Sequence, residues 1–235
     1  MKTWLLALGM IALPGTASAQ ALSCALPDDV PRPHADLPSA DQPARRVPIG
    51  SYTLAISWSP EYCRTRGDDA SARFQCRSTN RFGFVLHGLW PDGVGKEWPQ
   101  YCRATPILSR QVIRRNMCAT PSPQLLQHEW SKHGTCMAGY TPERYFARST
   151  TMFRALRFPD MAQLSRAPLT AGRLAQAIAA RNPGLRADMM RITGTRAGAL
   201  DEVWLCTDRR FRYTRCPGHQ GGLDPAAMVT IQPPR

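Results

Sequence analysis

Lysine is almost absent from this chain of 235 residues: Lys2, Lys96 and Lys132 are all it has, and arginine carries the rest of a formal charge of +13. A surface whose positive charge is guanidinium suits polyanions, because the planar fork pairs bidentately with phosphate. Charge alone does not name the partner, since exported proteins are basic for other reasons as well. Further absences narrow the chemistry. No Cys-x-x-Cys pair occurs among the eight cysteines, which argues against a zinc ribbon or finger. No Gly-x-Ser-x-Gly elbow is present, so a serine triad of the hydrolase type has no seat. No apolar run reaches the roughly 20 residues that a membrane helix needs. No internal repeat is found.

What is present begins with a leader. Lys2 precedes an apolar core from Trp4 to Leu13, Pro14 and Gly15 break it, and Ala17-Ser18-Ala19 fits the small-x-small rule for cleavage. Residues 1–19 are therefore expected to be a signal peptide, and the protein to be secreted or periplasmic. A lipid anchor on Cys24 is disfavoured, because Leu22 is one place away from where a lipobox wants it. Cleavage would remove Lys2 and leave a charge of +12. An even cysteine count in an exported chain reads as a disulfide framework, which leaves no free thiol as nucleophile. Residues 20–50 hold Pro27, Pro31, Pro33, Pro38, Pro43 and Pro48 among alanines and charges, and are expected to be extended or disordered.

Residues 51–235 read as one domain. Tyr52 to Trp58 is aromatic and β-branched and reads as a strand closed by Pro60. Phe82 to Leu86 reads as a buried strand running into His87. Helices are expected over 109–117, from 122 or 123 to His133, from Thr141 to about Arg157, and from Thr170 to Ala180; Thr141-Pro142-Glu143 is a capping hydroxyl, a proline and an acid in sequence. Strands are expected over 189–193, 202–207 and 211–215, the last two as a hairpin. Strands, then helices, then strands give an α+β domain: a central antiparallel sheet flanked by several helices and linked by disulfides.

Histidine is also scarce, with five in all, and three fall in two short segments. One is His87-Gly88-Leu89-Trp90-Pro91. The other is His128-Glu129-Trp130-Ser131-Lys132-His133-Gly134-Thr135-Cys136. On a helix Glu129 and His133 share a face, as do His128 and Lys132, so one surface would show two imidazoles, a carboxylate and an ammonium. Core packing has no use for that set, although Trp130 is expected to face the core. A zinc protease needs His-Glu-x-x-His; here Lys132 stands four after His128, and His133 lies about 140° round the helix. No metal or other cofactor is expected. What remains is general acid–base work by imidazoles near neutral pH beside a cation, as a phosphate ester would require. His34 and His219 read as solvated.

These two segments, with Trp58-Ser59-Pro60 ahead of the first and Cys136 closing the second, resemble the paired signature segments of the T2 family of secreted ribonucleases. The resemblance is strong over 84–91 and 128–136 and extends in organisation over 51–216. It implies a metal-independent endonuclease acting on single-stranded RNA through a 2′,3′-cyclic phosphate, working as a monomer without a membrane or a stable protein partner. His133 would be the base, His87 the acid, Glu129 and Lys132 the stabilisers of the phosphorane, and His128 the holder of the phosphate. Trp90 would stack on a base, with Asp92 and Trp98 in the same pocket. For the cysteines it favours Cys63–Cys76, Cys102–Cys136 and Cys206–Cys216. Cys24 is then left for Cys118, or Cys118 displaces Cys102 as the partner of Cys136. The stretch between Cys102 and His128 is shorter than in many relatives, which puts a second base subsite in doubt. The rival class is a cationic, exported nucleic-acid binder that does not cut, a role ribonuclease folds can take when a catalytic histidine is missing; here His87, Glu129, Lys132 and His133 are all present.

Overall fold

The computed structural model describes residues 21–234; the expected signal peptide lies outside them. Four long strands form one antiparallel sheet: β1 (Ile49–Trp58), β2 (Phe84–Gly93), β3 (Met190–Gly194) and β4 (Leu200–Thr207). Their spatial order is β2-β1-β4-β3. Alternation decides what each strand buries: Leu54, Ile56 and Trp58 of β1, Leu86 and Leu89 of β2, and Val203 and Leu205 of β4 all enter the hydrophobic core. Two further two-stranded pairs, Ala21–Ser23 with Arg81–Phe82 and Leu169–Thr170 with Met228–Val229, tie the chain ends to the domain. Five of the helices are α1 (Ser59–Arg66), α2 (Arg110–Asn116), α3 (Pro123–Lys132), α4 (Pro142–Ala155) and α5 (Ala171–Ala179). Ser109, Ser122, Thr141 and Thr170 each cap the helix that follows, accepting a backbone N–H three residues on.

Edge strand β2 is covered on its outer side. The Leu86 amide donates to the Ala119 carbonyl, Thr120 Oγ1 donates to the Leu86 carbonyl, and the Tyr145 hydroxyl both donates to the Leu89 carbonyl and accepts from its amide. No described helix is long and apolar enough to cross a membrane.

Four disulfides close the framework: Cys24–Cys118, Cys63–Cys76, Cys102–Cys136 and Cys206–Cys216. The Cys102–Cys118 ambiguity is thereby resolved in favour of Cys102, and Cys24 pairs with Cys118.

Three expectations need correction. Residues 211–215 are not a strand. β4 already has β1 on one side and β3 on the other, so no edge is left for a hairpin partner. The segment turns instead, with Phe211 in the left-handed region at φ 62° and a single bridge from Thr207 to Tyr213. The lead-in is extended but not disordered. Asn80 clamps the Ala25 backbone from both sides, Val30 is buried, Gln124 holds the His34 backbone, and Arg45 exchanges backbone hydrogen bonds with Gln100. Proline suits such a strap because its contacts to the body come from scattered carbonyls and side chains rather than from a ladder that needs every N–H. Lastly, β2 does not end before His87 but runs through it to Gly93.

Candidate active site

A bulge in β2 builds the first half of the site. Ala55 pairs with Gly88 and the next residue, Ile56, pairs with Leu86, so His87 is the extra residue. A strand would otherwise turn His87 and Gly88 to opposite faces. The bulge lets His87 join Gly88, Trp90 and Asp92 on one face while Leu86 and Leu89 stay in the core. The His87 and Trp90 rings then meet edge to face, with centroids 5.1 Å apart.

Helix α3 supplies the second half. Leu126 and Trp130 are buried in the core, and Trp130 Nε1 donates to Thr105 Oγ1. Glu129 and His133, one turn apart, are both buried beside β2. His133 stands just past the helix as its cap, its amide still bonded to the Glu129 carbonyl. Glu129 Oε2 accepts from Trp90 Nε1 at 2.9 Å, and Oε1 lies 3.5 Å from His87 Nε2 with no hydrogen-bond donor among the described residues. Gly88 makes this approach possible, since a Cβ there would overlap the Glu129 carboxylate. Trp90 also lies against His133, centroids 5.6 Å apart at 31°.

The two central histidines are biased in opposite directions. Burial would push His87 down, but a 2.5 Å hydrogen bond from Nδ1 to Glu202 and the charges of Glu129 and Glu202 raise it to about 9. His133 is held well below its ordinary value by burial and by Lys132, and its Nδ1 has no hydrogen-bond partner among the described residues. Burial raises Glu129 to about 7 against the pull of His87, Trp90 and Lys132. Burial lowers Lys132 as well, with Glu129 and Asp36 opposing.

Sequence reasoning missed Glu202 and Asp36. Glu202 sits on β4 opposite Ser57, and accepts from Ser57 Oγ at 2.6 Å and Trp204 Nε1 at 2.7 Å as well as facing His87. An acid alternating with apolar residues on a strand is the only sequence trace it leaves. Asp36 lies in the proline-rich strap, and its Oδ2 is 3.1 Å from His128 Nδ1.

A cavity of about 440 Å³ opens beside the histidines, lined by Trp90, Asp92, Trp98, Lys132 and His133. Asp92 is fixed by Thr53 Oγ1 at 2.8 Å and Ser51 Oγ at 3.3 Å, and burial raises its pKa. Trp98 is 46% exposed and carries the Arg45 guanidinium 5.0 Å over its ring. The far wall includes Trp204 and, from the C-terminal tail, His219 and Gln220. His219 is exposed, as expected, yet it borders this cavity. His128 does not line the cavity; its ring stands edge-on to His133 at 6.3 Å and points Nδ1 toward the strap. His34 holds only backbone contacts to Gln124 among its hydrogen bonds. One ligand atom each from His128, Glu129 and His133 lies within 4.8 Å of the others, so the trio could capture a metal ion. The helical separation of His128 and His133 is offset because His133 leaves the helix at its cap.

Comparison with known proteins gives a consistent answer. A model of the Ribonuclease T2 family matches residues 49–216. A Haemophilus influenzae protein named "Probable ribonuclease" is 32% identical over 182 residues, covering 73% of this chain and 62% of that one. Ribonuclease I of Escherichia coli is 29% identical over 133 residues, covering 40% of this chain and 49% of that protein. The chain thus spans between about half and two thirds of the length of these relatives. Among solved structures, an RNase-related protein from Calystegia sepium superposes with a TM-score of 0.62 at 20% identity, over 80% of this chain and 98% of that one. RNase NT in complex with 5′-AMP gives 0.60 at 21%, over 80% and 99%. With the paired histidine segments inside the matched span, the chain belongs to the Ribonuclease T2 family.

Proposed function

We propose that this protein is an exported endoribonuclease that cleaves single-stranded RNA through 2′,3′-cyclic phosphates without a metal. The observation that carries the reading is one buried carboxylate, Glu129, set beside both His87 and His133, whose surroundings bias their pKa values in opposite directions. Groups pushed apart in this way mark an acid and a base. His133, kept neutral, takes the proton from the 2′-hydroxyl; His87, kept charged, gives a proton to the departing 5′-oxygen. Lys132 and Glu129 stabilise the crowded phosphorane, and His128 holds the phosphate. Water then opens the cyclic phosphate with the two histidine roles reversed.

RNA brings its own nucleophile, so one base, one acid and a cation suffice. Trp90 stacks on a base, a contact worth about 1–3 kcal/mol; its position in the lining of one cavity with Asp92 and Trp98 supports this role. The arginine-rich surface draws in the polyanion from every sequence alike. Four disulfides and the N-terminal leader pattern support residence outside the cytoplasm, secreted or periplasmic.

The decisive experiment is digestion of single-stranded RNA and DNA by the purified protein. RNA should yield cyclic phosphates before 3′-phosphates, and DNA should be bound but left intact. Products bearing 5′-phosphates would mean that water attacks, and the two-histidine reading would be wrong.

A further inference from the structure

We propose that Asp36, carried by the N-terminal strap, is a positioning residue for His128: it accepts the Nδ1–H and so turns the ring with Nε2 toward substrate, where in the protonated ring Nε2–H donates to the phosphate. The inference rests on the RNA-cleaving reading of the site, and extends it to a segment outside residues 49–216, which the family model matches. Three observations support it. Asp36 Oδ2 lies 3.1 Å from His128 Nδ1, and both side chains are mostly buried, at 20% and 28% exposure. The strap is held where it delivers Asp36: Gln124, one turn before His128 on α3, bonds the His34 amide and carbonyl, and Cys24–Cys118 anchors the strap upstream. Tyr101 braces the pair from the other side. Its ring stands edge-on to His128 at 6.5 Å, burial and the Asp36 carboxylate raise the pKa of its hydroxyl, and its backbone sits in the left-handed region at φ 49°. A tyrosine holds that costly conformation only where its surroundings fix it; here its amide is bonded to the Lys132 carbonyl.

A carboxylate on one ring nitrogen keeps a proton there and fixes the ring's orientation, so the neutral ring reports the contact by its Nδ1–H tautomer, and the protonated ring aims an Nε2–H donor at the phosphate. The strap would then complete the site, because no other acceptor is recorded within hydrogen-bond reach of His128 Nδ1 among the described residues.

The test is the ¹⁵N spectrum of His128 in the full-length processed protein at a pH where the ring is neutral, read beside steady-state kinetics on RNA. The wild-type ring should show the Nδ1–H tautomer; an Nε2–H ring would overturn the proposal without any variant. Asp36→Ala should shift the ring toward Nε2–H and raise KM by about 10-fold or more, with kcat less affected. Asp36→Asn keeps an acceptor and should restore the tautomer and most of KM, while the exposed Asp41→Asn in the same strap should change neither. A folded Asp36→Ala protein, judged by near-ultraviolet circular dichroism, with its tautomer and KM unchanged would make Asp36 a mere fastener of the strap and refute the inference. If the wild-type protein failed to cut RNA at all, the functional reading would fall, while the tautomer would still report on the Asp36 contact.

Discussion

His87 is held between two carboxylates on different elements: its Nδ1 lies 2.5 Å from Glu202 Oε1 on β4, and its Nε2 lies 3.5 Å from Glu129 Oε1 on α3. One acid fixes the ring by its far nitrogen, and the other shares the side from which the proton must leave.

The Glu202 contact sets a pH limit. His87 must be protonated to act as the acid, so activity should fall as pH rises through about 9, and the acid-side limit, set by neutral His133, should lie below 6.5. Glu202→Gln removes one charge and should move the alkaline limb down by at least about one unit. The same shift bears on folding. Because His87 is raised on folding, its stabilising contribution is complete below about 6.5 and is lost as pH climbs through about 9, more of it surviving in the wild type than in the variant. A pH–rate profile of kcat with matched thermal melts reads both; an unmoved alkaline limb would show that Glu202 does not tune His87.

General acid and base groups each contribute roughly 10²–10⁴-fold. His87→Ala and His133→Ala should each lower kcat by at least about 10²-fold with the fold intact. His219→Ala, which alters only the cavity wall, should act on KM and spare kcat. Steady-state kinetics at fixed salt distinguish them, because salt alone changes the affinity of a basic protein for RNA. Equal kcat losses for His133 and His219 would misplace the site.

Gly88 has no freedom to grow a side chain. In Gly88→Ala the new methyl group must displace the Glu129 carboxylate and strain its bond to Trp90 Nε1. Displacement by about 1 Å can cost about 10²-fold in rate, so kcat should drop on that scale. Circular dichroism and kinetics on the same sample decide it; full activity would show that Glu129 can retreat without consequence.

Metal chelation separates this chemistry from its alternatives. RNA cleavage should survive excess EDTA, because Lys132 and the histidines carry the charge work. Added zinc should inhibit by occupying His128, Glu129 and His133, whose ligand atoms already lie within 4.8 Å of one another. Loss of activity in EDTA that zinc or magnesium restored would reverse the assignment.

The parts of this site that could be read from the sequence are those fixed by local rules. Ser122 and Thr141 cap as capping chemistry demands, and Glu129 and His133 share a face because they are one helical turn apart. Glu202 and Asp36 escape such rules, since 115 and 92 residues separate them from the histidines they meet. Nothing in a proline-rich stretch marks one aspartate as an imidazole's partner. The expected strand at 211–215 failed for a global reason: whether a segment pairs depends on which sheet edges remain open, and β4 had none.

The strand order carries a consequence for how the protein is made. Synthesis runs from β1 to β4, yet β4 lies between β1 and β3 in the finished sheet. While a chain is shorter than about 200 residues, β1 has an open edge, β3 has no neighbour, and His87 has no Glu202. A growing chain can therefore carry both histidine segments without the arrangement that biases His87 toward the acid form.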